Sequence, residues 1–155
     1  MGNEDRRSTT RDHGVLLRTL VVIGFLLCLG WAFAMADEDA EEAIPPEYAG
    51  KVMPAGMGDD SKVRVTGKEI YEGMVNPEVN CARCHGNDGK PTKLGKGAPD
   101  LSDPAMSKKH SDARWFWRIS EKKPGSKMPG YKDTLTEEQR WQVIAYLRTL
   151  AQPGR

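Results

Sequence analysis

Read from the N-terminus, polar residues 1–18 give way to an almost unbroken apolar run from Thr19 to Ala36, and charge returns at Asp37. A flank carrying Arg6, Arg7, Arg11 and Arg18, an apolar segment and an Ala-x-Ala end have the layout of an export signal. Ala32-Phe33-Ala34 and Ala34-Met35-Ala36 both offer cleavage sites, and cleavage after Ala36 is the favoured reading. The run is 18 residues long, the lower edge of what spans a bilayer, so an uncleaved membrane anchor is the alternative. In both cases the positive flank stays inside and the chain beyond Asp37 faces outward. Cys28 sits mid-run after Leu26-Leu27, unlike a lipoprotein cleavage site.

Residues 37–66 hold no helical or strand period and read as an extended leader: an acidic run, then Pro45-Pro46, Pro54, Gly50, Gly56 and Gly58. From Gly67 the pattern changes, and residues 67–155 form the candidate folded domain. Lys68 to Glu72 predicts a short helix ended near Gly73 and Pro77. Ser111-Asp112 predicts a second helix start, with residues 113–120 running towards Pro124-Gly125. The last element is the clearest. Thr134 with Glu137 and Thr136 with Gln139 both fit a capping box, and Val143, Tyr146, Leu147 and Leu150 then recur on one helical face. No strand pattern and no internal repeat is evident, so the expected class is all-α, with about three to four short helices and long loops.

Composition narrows this further. The 155 residues carry 23 Lys and Arg against 22 Asp and Glu, which excludes a strongly basic nucleic-acid binder. The balance is uneven: residues 37–47 hold six acids and no base, leaving 19 basic and 13 acidic groups in residues 48–155. With 16 Gly, 10 Pro and only 38% hydrophobic residues, a domain of about 90 residues buries too little apolar surface to stand easily alone. Such domains ordinarily need a staple or a cofactor.

Cys81-Ala82-Arg83-Cys84-His85 supplies one, because C-x-x-C-H is the spacing of c-type haem attachment. Two thiols separated by two residues can form thioethers with the two vinyl groups on one edge of a haem, and the adjacent imidazole can swing beneath the iron. A Cys81–Cys84 disulfide does not explain His85. A thioredoxin-like pair needs a strand-turn-helix context that is missing here. A zinc site from Cys81, Cys84, His85 and His110 has a tolerable ligand set but no second paired motif. Haem c is the favoured cofactor.

The sixth iron position then needs a donor. Met128, 43 residues after His85 in Lys127-Met128-Pro129-Gly130-Tyr131, is the favoured thioether ligand, on the precedent of His/Met ligation. Met106 and His110, both in turn-like surroundings, are the runners-up; Met53, Met57 and Met74 are read as packing residues.

At these residues the chain resembles the class I cytochromes c, small bacterial monohaem electron carriers. The resemblance runs over about residues 67–151: Gly67, Ile70 and Tyr71; Cys81 to Gly86; Ala98-Pro99-Asp100-Leu101; Phe116 to Ile119; Pro124 to Gly130; and Leu135 to Leu147. Ile44 to Gly50 is also similar to the pre-haem segment of some membrane-associated cytochromes c. The resemblance implies that the carbonyl of Pro99 faces the outer nitrogen of His85, and that the first and last helices cross with Gly67 and Tyr71 near Tyr146 and Leu147. It also implies that Trp115, Trp117 and Tyr131 line the haem or approach a propionate.

The chemistry expected is outer-sphere electron transfer with both axial ligands retained, so the protein reads as a periplasmic electron carrier and not as an enzyme. No triad or paired carboxylates are evident, and no small-molecule substrate is expected. Lys90, Lys93, Lys96, Lys108, Lys109, Lys122, Lys123, Lys127 and Lys132 flank the motif loops and would steer towards redox proteins with an acidic docking face. Two alternatives stay open: a cytochrome subunit fixed in a membrane redox complex, and a haem enzyme with an open iron site.

Overall fold

The computed structural model of the chain describes residues 42–152, and every helix of nine residues or more in it starts on a side-chain cap. The elements are α1 (Pro46–Ala49), α2 (Ser61–Tyr71), α3 (Ala82–His85), α4 (Pro104–Lys109), α5 (Asp112–Ser120) and α6 (Glu137–Leu150), with no strand among the described residues. The export segment, Cys28 and the acidic run up to Glu41 lie outside the described residues. No helix among the described residues is long and apolar enough to cross a membrane.

The Lys62 and Val63 amides donate to the Asp60 carboxylate at the head of α2, and the Arg114 amide donates to the Ser111 hydroxyl at the head of α5. Of the two capping boxes offered at α6, Thr136 with Gln139 forms: the Gln139 amide donates to the Thr136 hydroxyl at 3.1 Å, and the Thr136 amide to the Gln139 side chain at 2.9 Å. These caps satisfy amides that the first helical turn leaves without partners. Three short helices were not expected from the pattern. α1 has proline at its first position, α4 follows an Asp103 cap with Pro104 at its first turn, and α3 is a single turn over the haem-attachment motif.

The frame is the crossing of α2 with α6. Gly67 sits at the closest point, where a β-carbon would lie only 1.9 Å from the carbonyl oxygen of Gln142 and 3.1 Å from Cβ of Tyr146. A hydrogen at this position is what lets two backbones touch. Next to it the Tyr71 and Tyr146 rings meet edge to face with centroids 5.3 Å apart. Helix α5 joins through Phe116, whose ring lies 4.4 Å from that of Trp141 on α6. Ile70, Tyr71, Val79, Phe116, Val143 and Ile144 are the largest fully buried apolar side chains among the described residues, and they come from α2, α5, α6 and the segment before Cys81.

Helix α2 begins six residues before Gly67, and the compact unit holding it begins at Ala43. Much of the segment expected as an extended leader therefore lies against the helices. The Tyr48 ring packs on Phe116 at 6.3 Å, Lys51 pairs with Glu137 at 2.8 Å, and the Met53 amide donates to Asp112 at 2.9 Å. Asp112 in turn pairs with Arg148 on α6. Met53 and Met57 pack against the core, as expected, but Met74 is 69% exposed and does not. Its loop follows Gly73, whose positive φ turns the chain outward at the end of α2.

Candidate haem-attachment site

Helix α3 sets the spacing. The His85 amide donates to the Cys81 carbonyl at 2.9 Å, and the Asn80 side chain accepts from the Arg83 amide at 2.9 Å, so Cys81, Cys84 and His85 share one helical turn. Residues three and four apart on a turn face the same side. Both thiols are free, and burial pushes the Cys81 thiol up to about 12, so it stays protonated at neutral pH. His85 is 8% exposed.

Two loops complete the enclosure. After His85 the chain turns at Gly86, with a φ of 70° and no room for a β-carbon, which would lie 2.4 Å from the Lys90 carbonyl oxygen. The hydroxyl of buried Tyr71 donates to the Gly86 carbonyl at 2.6 Å, tying this turn to α2. The loop then folds back on α3. The Thr92 amide donates to the Cys84 carbonyl at 2.9 Å and its hydroxyl to the Arg83 carbonyl at 2.8 Å, while Gly95 lies directly on the Cys84 carbonyl. This return brings Pro99 to His85. Burial lowers the imidazole pKa, and the Pro99 carbonyl acts in the opposite sense, yet Nδ1 is buried without a hydrogen bond of normal geometry.

The second loop, residues 121–132, carries Met128. Its neck is closed by the Tyr131 amide donating to the Ile119 carbonyl at 2.9 Å and the Lys132 amide to the Ser120 carbonyl at 3.2 Å. Gly130 is pressed onto the same strip, with no space for a side chain against Ser120 and Lys122. Met128 packs against the core cluster that also receives Cys81. Burial pushes the Tyr131 hydroxyl up to about 12, with Cys81 and Cys84 adding to the shift.

The two neighbouring tryptophans differ. Trp117 has the Arg118 and Arg114 guanidinium groups over its ring at 4.1 and 5.5 Å. Trp115 is 6% exposed and its indole Nε1 is buried without a partner. Met106, expected in a solvated turn, lies instead on α4 and packs against the core, and the His110 ring lies 5.3 Å from that of Trp115. Among the described residues no three His, Cys, Asp or Glu side chains gather to hold a metal ion, so the zinc alternative has no structural support. The nine lysines are all exposed, and Lys132 is paired with Glu121 at 3.0 Å.

These residues fit a covalent haem on their own chemistry. Two free thiols and an imidazole sit on one turn, and the buried indole nitrogen of Trp115 lacks the partner that a folded interior would normally provide. The contributions of Tyr71, Thr92, Gly95 and Gly130 were not drawn from the sequence. The glycines gave the only advance signal, as breaks in loops where backbones come together.

Comparison with known proteins agrees. The family model for cytochrome c matches residues 65–151, more than half of the chain. No curated protein and no solved structure matches it. With the attachment motif held on a single helical turn, α2 crossed with α6, and that match over the same residues, the chain belongs to the cytochrome c family, whose members bind haem c covalently and carry electrons.

Proposed function

We propose that the protein is an electron carrier of the bacterial periplasm, with haem c joined to Cys81 and Cys84 and with His85 and Met128 as axial ligands. The observation that carries this reading is the Met128 loop, which is closed at its neck by backbone pairs beside Tyr131 and packs Met128 on the same core cluster as Cys81. Haem when bound supplies a one-electron couple, and a thioether ligand favours its reduced form. The chain's own part is to hold donors still. His85 is held by its helical turn, and the Pro99 carbonyl would orient the ring by accepting from Nδ1. The unpartnered Nε1 of Trp115 would be free to donate to a haem carboxylate. The many backbone ties of both loops keep rearrangement small as charge changes.

Electron exchange would take place beside α3. Gly73 packs on Asn80 and Gly95 on Cys84, so exposed Met74 and Leu94 sit on loops bordering the attachment segment. Exposed lysines at 90, 93 and 96 lie on the same loop as Leu94. Exposed apolar side chains with exposed lysines on the same loop suit a redox partner with an acidic face. Exchange with such a partner should slow steeply between low and physiological salt; a flat response removes the steering part of the reading.

The direct test is optical. The haem-loaded ferric protein should show the weak sulfur-to-iron charge-transfer band, and Met128→Ala should abolish it. An unchanged band in that variant refutes the ligand assignment. Residues 1–36 direct the chain across the inner membrane. The mass of the native N-terminus separates a free carrier, cut after Ala36, from a tethered subunit of a membrane redox complex.

A further inference from the structure

The segment ahead of the family-matched region makes one contact that reaches the Met128 loop. Glu121 stands at the entry of that loop, directly after α5, and its carboxylate Oε1 accepts from two groups: Tyr48 Oη at 2.5 Å and Lys132 Nζ at 3.0 Å. Lys132 stands at the loop's exit, beside the backbone pairs that close the neck. One carboxylate therefore bridges entry and exit, and Tyr48 holds that carboxylate from outside. Tyr48 is itself anchored, with its ring on Phe116 and its amide donating to the Pro45 carbonyl at 2.9 Å. The Glu121 carboxyl is held below its usual range by Tyr48 first and Lys132 second, so the acceptor is ionised at neutral pH. Phe116 lies under the guanidinium of Arg140, which donates to Ser120 at the same neck.

We propose that Tyr48 is a positioning residue for Met128: by clamping Glu121 it locks the neck of the 121–132 loop and so resists withdrawal of the thioether from the iron. This rests on the reading of Met128 as an axial ligand. A hydrogen bond to an ionised carboxylate is stronger than one between neutral groups, and removing the hydroxyl leaves a charge with one donor fewer. The other fastenings of the segment end elsewhere: Lys51 pairs with Glu137 and lies over the Phe116 ring at 5.2 Å, and the Met53 amide donates to Asp112, so neither bonds to Glu121.

The test uses the full haem-loaded protein and imidazole as a competing ligand for the ferric iron, with loss of the charge-transfer band as the signal. Tyr48→Phe should raise imidazole affinity about fivefold to tenfold. It should speed amide exchange at Tyr131 and Lys132 by a similar factor. Lys51→Met, which loosens the same segment elsewhere, should change neither by more than about twofold. In a Glu121→Ala background, Tyr48→Phe should have no further effect, since the two act as one unit. A Tyr48→Phe protein with unchanged affinity and exchange, in which Met128→Ala still abolishes the band, overturns the lock and leaves the ligand assignment standing. Equal effects of Lys51→Met and Tyr48→Phe also overturn it, because the segment would then act only through general stability. A wild-type protein without the band refutes the ligand assignment and the lock together.

Discussion

Gly67→Ala probes the crossing on which the whole frame depends. The added carbon would lie 1.9 Å from the Gln142 carbonyl oxygen and 2.6 Å from its carbonyl carbon. Both are helix backbone, which cannot swing aside as a side chain does. A relaxed carbon–oxygen contact needs about 3.3 Å, so α2 and α6 must part by about 1.4 Å at this point. Overpacking of this kind costs about 1–3 kcal/mol. Parting the helices also loosens Ile70, Tyr71, Ile144 and Tyr146, and a gap of one or two methyl groups there costs about 1–2 kcal/mol. Helix propensity runs the other way, favouring alanine by about 1 kcal/mol. The expected net loss is about 2–3 kcal/mol, or about 8–12 °C in the melting temperature of a domain this size. Far-UV circular dichroism of the haem-loaded protein in guanidinium and on heating measures it. Gly50→Ala is the control, since Gly50 has a φ of −92° and nothing within 4 Å of a built β-carbon, and it should shift stability by less than about 0.5 kcal/mol. A Gly67→Ala protein as stable as wild type would show that the helices do not meet at this distance.

Two further outcomes follow from hydrogen bonds to tyrosine. Tyr71→Phe strands the Gly86 carbonyl and should lower unfolding free energy by about 1–2 kcal/mol without loss of haem attachment; a neutral result in denaturant titrations would mean that the bond does not form. The Tyr48 hydroxyl is pushed up to about 12, by burial first and then by Glu121, with Arg140 opposing. Folded protein thus holds this proton more tightly than unfolded chain, so the stabilisation is complete below pH about 10 and is lost as pH rises towards 12. Wild type should lose more stability than Tyr48→Phe between pH 10 and 12, and parallel guanidinium midpoints across that range would refute the coupling.

Several features are legible in the sequence because they are set within four or five residues. The Thr136–Gln139 box, the Ser111 cap and the apolar face of α6 depend on the helical repeat, and each is found at the position the pattern gives. Cys81, Cys84 and His85 lie within one turn of chain, so their proximity follows from spacing alone. The start of α2 at Ser61 was missed because Ser61 to Thr66 alternates polar and apolar residues without a clear helical face, and Val65 is in fact 57% exposed. Met74 was misread because the sequence does not show that Gly73 turns the loop outward.

The sequence by itself determined the class of the domain and its attachment motif, because covalent reach and helical periodicity are local. Only the tertiary structure decided that Tyr48 meets Glu121 across 73 residues of sequence, that Pro99 returns to His85, and that Trp115 rather than Trp117 keeps a buried donor without a partner. Those pairings arise from the packing of α5 and α6 on α2, and no spacing along the chain encodes which distant groups such packing brings within reach of a hydrogen bond.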